Sequence, residues 1–239
     1  MAVKKYKRDS ETSFAQGATL VAELLKTNPG LIRRVFLRPV EKHGEDLEKI
    51  LTELKVRKIE VIESQKAFNV LGAKDSCLLM AEFEKKSHAL NSSTPHIVLV
   101  NPSDSGNLGT IIRTAAAFGY LNLAIITPAV DHFDPKVVRA SMGACFHLNI
   151  ETFGSIEDYI VRFPNQKLYA FVLNENAKQL DEMKASGDFT LIFGNEAAGL
   201  PKDFCVKTGA QAIFIKQSEL VDSLNLSIAA AIAMHHFVI

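Results

Sequence analysis

A chain of 239 residues is long enough for one large domain or two small ones with a substantial core. Its 47% apolar and 23% charged residues are those of an ordinary globular protein, and a net charge of zero gives by itself no argument for a polyanionic partner. Cys77, Cys145 and Cys205 lie far apart with no Cys-x-x-Cys pair, which excludes the usual zinc and disulfide frameworks and suits a reducing, cytoplasmic home.

The opening "MAVKKYKRDSET" has charge but no apolar core behind it, so it does not read as a signal peptide. The first 38 residues hold Lys4, Lys5, Lys7, Arg8, Lys26, Arg33, Arg34 and Arg38 against three acids. That imbalance suits a part that meets phosphates, and a solvated surface explains it equally well. "SFAQGATLVAELLKTNPG" predicts a helix stopped by Asn28-Pro29-Gly30; "IRRVFLR", "KIEVIE" and "CLLMAEFE" predict strands, and "GEDLEKILTELKVR" an amphipathic helix. "EKKSHALNSSTP", residues 84–95, is charged, then Ser/Asn/Thr-rich, and reads as a linker.

Beyond it, "HIVLV", "LNLAIIT", "FHLNI", "KLYAFVL", "FTLIFG" and "QAIFI" are short apolar runs separated by helical segments. The pattern predicts an α/β domain with a parallel sheet covered on both faces, whose ligands bind in the loops at the strands' carboxyl ends. The C-terminal "LNLSIAAAIAMHHFVI" is short for a membrane span and contains Asn225, Ser227, His235 and His236, so it reads as a buried helix.

Three loops carry unusual residues. In "NPSDSGNLGTIIRTAAAFG" a helix is expected from near Asn107, with Leu108, Ile111, Ile112, Ala115 and Ala116 on one stripe and Gly119 at its end. Arg113 lies off that stripe, one turn above Gly109, where a planar five-donor cation is suited to holding a phosphate. In "LIFGNEAAGL" a buried strand runs into Gly194, Asn195 and Glu196, an odd place for an acid without a partner. In "IKQSELVDSLNLSIAAA" a strand ends at Ile215, and Ser223-Leu224-Asn225 open the last helix, with Ser223 the candidate N-cap. A fourth segment, "DHFDPKVVRASMGACF", has Asp134 as N-cap, Pro135 at N1, and Lys136 and Arg139 on one face, a pair able to contact a polyanion.

Together, "DSGNLGTIIRTAAAFG", "KVVRASMGA", "LIFGNEAAGL" and "SLNLSIAAAI" occur in the order and approximate spacing of the TrmH-type (SpoU) RNA 2′-O-ribose methyltransferases of the SPOUT superfamily. The resemblance covers residues 96–239. Residues 10–84 more loosely resemble a ribosomal-protein-L30e-like substrate-binding domain. It implies residues 1–88 as an RNA-binding domain, 89–95 as linker and 96–239 as a catalytic domain with a deep trefoil knot. It further implies S-adenosylmethionine as cofactor, lined by Gly194, Asn195, Ile215 and Leu224, a homodimer formed through the knotted domain, and no metal. Arg113 would hold the target nucleotide, with Asn107, Glu196, Ser223 and Asn225 as the other polar active-site positions and Lys136, Arg139, Arg33 and Arg34 as RNA contacts. The sequence departs from the family pattern at Ser105, usually Pro, at Ala197 and Glu219, usually Gly, at Lys216, usually Pro, and at Gln16, usually Glu. If position 197 needs a positive φ, Ala there costs roughly 1 kcal/mol.

The two-domain layout favours ribosomal over transfer RNA, with transfer RNA as the alternative within the class. A dinucleotide-dependent oxidoreductase fails for want of G-x-G-x-x-G and of an acid after the second strand. A non-catalytic RNA-binding protein of the same fold is opposed by the intact polar set.

Overall fold

The computed structural model describes residues 3–40, 42–174, 177–184 and 187–238, which form two compact units. The first takes in the chain up to Lys86. It opens with strand β1 (Thr12–Gln16), where the sequence suggests the beginning of a helix. The helix α1 (Ala18–Thr27) starts only after Gly17, whose φ of 125° turns the chain in a way that side-chain-bearing residues rarely allow. Strand β2 (Ile32–Leu37), helix α2 (Glu45–Val56), strand β3 (Val61–Glu63), helix α3 (Gln65–Val70) and strand β4 (Leu79–Glu84) follow. The sheet order is β1-β4-β2-β3, antiparallel except for β2 with β3. Leu20, Val21, Leu24 and Leu25 of α1 and Leu47 and Leu54 of α2 cover one face of this sheet. Phe68 and Ala67 of α3 cover the other, on Phe14, Phe36 and Met80.

The second unit begins with β5 (His96–Val100), α4 (Ser105–Ala117) and β6 (Asn122–Ile126). The chain then returns to the first unit for residues 131–146, which contain α5 (Pro135–Ala140). The single boundary expected at 89–95 does not anticipate this excursion. Val138 is buried in the core under α1 and α2, with Phe133 and Phe146 packed against it, so these apolar side chains complete the first core. Phe146, expected in a strand of the second sheet, is one of them. Back in the second unit come β7 (Asn149–Phe153), α6 (Ile156–Arg162), β8 (Lys167–Phe171), β9 (Lys178–Gln179), β10 (Phe189–Phe193), α7 (Phe204–Thr208), β11 (Gln211–Phe214) and α8 (Leu226–His236).

The seven strands of this sheet run in the order β7-β6-β5-β10-β8-β11-β9, and every neighbouring pair is parallel. All residues of β5, β6 and β10 are buried, as expected of central strands covered on both faces. Because all strands point the same way, the loops leaving β5, β10 and β11 emerge at one edge of the sheet. No helix among the described residues is long and apolar enough to cross a membrane.

Candidate active site

A carboxylate from the loop after β10 gathers donors from the loop after β5 and the start of α4. Glu196 Oε2 accepts from the backbone N–H of Ser103 (3.0 Å) and from its hydroxyl (2.8 Å), while Oε1 accepts from the backbone N–H of Asp104 (3.0 Å) and from Asn107 Nδ2 (3.3 Å). These donors lie at the N-terminus of α4, where backbone N–H groups lack intrahelical partners and favour negative charge. Asp104 is the N-cap, accepting from the Asn107 N–H at 2.7 Å, so the helix begins two residues before Asn107. Partial burial pushes the Glu196 carboxyl up, but the hydrogen bonds from Ser103 and the backbone outweigh it and hold it below the usual carboxylate range.

Asn107 extends this cluster to the third loop. Its Oδ1 accepts from Asn225 Nδ2 at 3.0 Å, and Asn225 Oδ1 in turn accepts from the backbone N–H and hydroxyl of Ser227 (2.9 and 2.7 Å). Asn225, not Ser223, is therefore the N-cap of α8. An asparagine side chain can cap and still present its amide group to a second partner, which a serine hydroxyl in the same place does less well. Ser223 is exposed on the loop ahead of it, and Ile215 and Leu224 are half-buried.

The loop after β10 has its own internal frame. Asn195 and Gly199 exchange backbone hydrogen bonds (3.2 and 2.9 Å). Asn195 Oδ1 accepts from the N–H groups of Ala197 and Ala198, and its Nδ2 donates to the Asn101 carbonyl (2.8 Å). The Asn195 side chain thus works in two directions, its oxygen fixing its own loop and its amide tying that loop to the one after β5. A Cβ on Gly194 would lie 2.2 Å from the Gly199 carbonyl carbon and 2.4 Å from the Leu200 nitrogen, so only glycine lets the two ends of the loop approach. Ala197 is not among the positive-φ residues, so alanine there carries no backbone penalty.

Arg113 is exposed on α4, six residues beyond Asn107, about one helical position short of two full turns and about 9 Å along the axis. Helical side chains lean toward the N-terminus, and the turns ahead of Arg113 carry glycine at 109 and 106, which leave its guanidinium room on that side. Among the described residues no hydrogen bond or ion pair engages it. Asn101, at the end of β5, adopts φ 53° and bonds the Pro128 carbonyl through Nδ2 (3.2 Å), fixing the chain just ahead of Ser103. Asn101, Ser103 and Asp104 escape the sequence reading. The visible signal is the position of Asp104, three residues before Asn107, the N-cap spacing.

The four expected RNA contacts all fall on the first unit. Lys136 is exposed. Arg139 Nη1 donates to Gln16 Oε1 at 3.0 Å, a neutral acceptor that orients the guanidinium without neutralising it. Arg34 is different: only 14% of its side chain is exposed, and Nε meets Glu82 at 2.6 Å. Arg33 pairs with Glu84 and Glu11 at 3.1 and 3.3 Å. The charges of Arg33 and Arg34 are thus met within the unit, where adjacent strands place acids beside them.

Replacing Glu196 by Gln turns one of two acceptor oxygens into a donor facing other donors. We expect a loss of about 2 kcal/mol of stability at neutral pH, read by thermal unfolding. Because the folded carboxyl titrates below its unfolded value, the wild-type advantage is complete above the unfolded value and fades as pH falls through the folded one. The two melting curves therefore converge in acid, and parallel curves at every pH would show that the ionised carboxylate is not what holds the loops.

The model of the SpoU rRNA Methylase family matches residues 94–235, more than half of the sequence, and the chain belongs to that family. It is 27% identical over 236 residues to the 23S rRNA (guanosine(2553)-2′-O)-methyltransferase RlmP of Bacillus subtilis strain 168, spanning 98% of this chain and 91% of that relative. The AdoMet-bound rRNA methyltransferase of Sinorhizobium meliloti superposes with a TM-score of 0.77 at 26% identity, over 95% of this chain and 86% of that one. A structure concerned with 2-OH methylation of C/U34 on tRNA gives a TM-score of 0.55 at 28% identity, over 61% of this chain and 94% of the other.

Proposed function

We propose that the protein transfers a methyl group from S-adenosylmethionine to a ribose 2′-hydroxyl of ribosomal RNA. The observation that carries this is the hydrogen-bonded series Glu196–Asn107–Asn225, which ties three loops at the carboxyl edge of a parallel sheet, with Arg113 exposed on the helix that carries Asn107. Gly194, Ile215 and Leu224 would line the cofactor, on the two loops leaving β10 and β11. The approach of the loop ends at Gly194 fits a ligand met largely by backbone. S-adenosylmethionine supplies a methyl carbon already activated by a positive sulfonium. The chain's own task is to place the hydroxyl.

Arg113 holds the phosphate of the target nucleotide and orients its 2′-oxygen. A guanidinium stays protonated in proteins, so it stabilises developing negative charge rather than removing the proton itself. Asn107 and Asn225, each fixed by partners on both sides, and the hydroxyl of Ser223 complete the polar wall on the substrate side. Glu196 works through them as a positioning residue. The choice of ribosomal RNA is supported by the likeness to RlmP over nearly the whole chain, whereas the likeness to the structure concerned with tRNA spans only 61% of it. Transfer of labelled methyl to unmodified ribosomal RNA and to transfer RNA, run separately, tests the reading. Label in ribosomal RNA is expected, and label confined to transfer RNA would overturn that choice.

A homodimer belongs to the same reading. Helix α8 is apolar from Ile228 to Met234, yet Ile228 and Ile232, one turn apart, are 50% and 39% exposed. A second copy covering this face would remove them from water, and Ile228→Glu should convert the dimer to monomers in sedimentation. An unchanged dimer would place the interface elsewhere.

A further inference from the structure

The first unit carries an ordered basic segment that the site does not use. Residues 3–10 lie along one face of the four-stranded sheet, with Val3 and Tyr6 packed against the cluster of Phe14, Phe36, Phe68 and Met80. Polar contacts fix the rest. The Tyr6 hydroxyl donates to Asp131 at 2.5 Å, and Lys85 Nζ donates to the Arg8 carbonyl at 2.7 Å and reaches Asp131 at 3.3 Å. Lys85 also lies 5.4 Å from the centre of the Tyr6 ring. A turn closes the segment, the Ser10 N–H donating to the Lys7 carbonyl at 3.0 Å. What faces outward is charge: Lys4, Lys5, Lys7 and Arg8 are all exposed, against the single acid Asp9, and exposed Lys86 adjoins Lys85.

We propose that this strap, residues 3–10, is an RNA-backbone contact surface, with Lys4, Lys5 and Lys7 each taking a phosphate. The proposal rests on the RNA reading above and extends it to residues outside the family match at 94–235. Ammonium groups already in water lose little on meeting a phosphate, and each phosphate they neutralise releases condensed counterions. Because the backbone is pinned before binding, less ordering entropy is lost than with a free tail. An anionic membrane also attracts lysines. Lasting surface binding, however, needs apolar side chains to insert, and Val3 and Tyr6 point into the protein.

The test is the salt dependence of RNA binding by the full chain, using poly(U) and poly(A)·poly(U) as probes over a potassium chloride series. The triple variant K4Q/K5Q/K7Q should lose affinity for both probes, and the slope of log affinity against log salt should flatten by roughly 2 to 3, at about 0.7–0.9 per phosphate. K4R/K5R/K7R should restore the slope, which a merely structural role for the lysines would not require. An unchanged slope in the glutamine variant overturns the proposal, as does failure of the arginine variant to restore it. So does binding to phosphatidylserine vesicles that depends on the same lysines while RNA binding does not. Methyl transfer by the wild type is measured alongside. Its absence would defeat the reading of the activity, whereas transfer with an unchanged slope would defeat only the strap.

Discussion

Arg113→Ala is expected to reduce methyl transfer at saturating RNA by at least about 10²-fold, the scale of removing one preorganised donor to developing negative charge, while S-adenosylmethionine still binds. The side chain is exposed and no described residue engages it, so its removal leaves no buried partner unsatisfied and the melting temperature should stay put. The readouts are single-turnover transfer for the chemistry and calorimetric titration for the cofactor. Arg113→Lys should recover little, because an ammonium keeps the charge but not the planar fork that fixes a phosphate in two places. Near wild-type turnover in the alanine variant would remove Arg113 from the site.

The second large effect is expected at Gly194, for a different reason. An alanine methyl there would meet backbone atoms of Gly199 and Leu200 at 2.2–2.5 Å, and backbone cannot rotate away as a side chain would. The loop must open, breaking the Asn195–Gly199 bridge and displacing Glu196 from the N-terminus of α4. Gly194→Ala should cost about 3 kcal/mol, the upper end of overpacking penalties, and should weaken cofactor binding as well as transfer. Thermal unfolding and calorimetric titration read both. Arg113 and Gly194 thus separate the two halves of the site: one variant loses chemistry with the fold intact, the other loses the shape of the pocket.

What could be read from the sequence follows from what is local. The buried strands β5, β6 and β10 are apolar apart from one polar residue each, and α5 announces itself through Asp134 and Pro135. Arg113, Asn107, Glu196 and Asn225 stand out as polar residues beside such runs. Long-range partners are not visible in the same way. Nothing local to Val138 or Phe146 says that they finish a core begun more than a hundred residues earlier. The strand β1 was hidden because Ser13, Phe14 and Ala15 also suit a helix, and its pairing with β4 decides the matter. Ser223 and Asn225 are both good caps by residue type; the helix starts at Leu226, where the N–H groups of Ser227 and Ile228 donate to Asn225 Oδ1 and select the second. Arg33 and Arg34 looked available because the acids that meet them, Glu84 and Glu82, are distant in sequence and adjacent in the sheet.

The central claim is that the methyl group goes to a ribose oxygen, and the most direct measurement is the identity of the labelled nucleoside. Ribosomal RNA methylated by the protein would be digested to nucleosides and analysed by mass spectrometry. A methyl group that stays with the ribose when the base is cleaved away is the result this account requires. A methyl group that leaves with the base would contradict it.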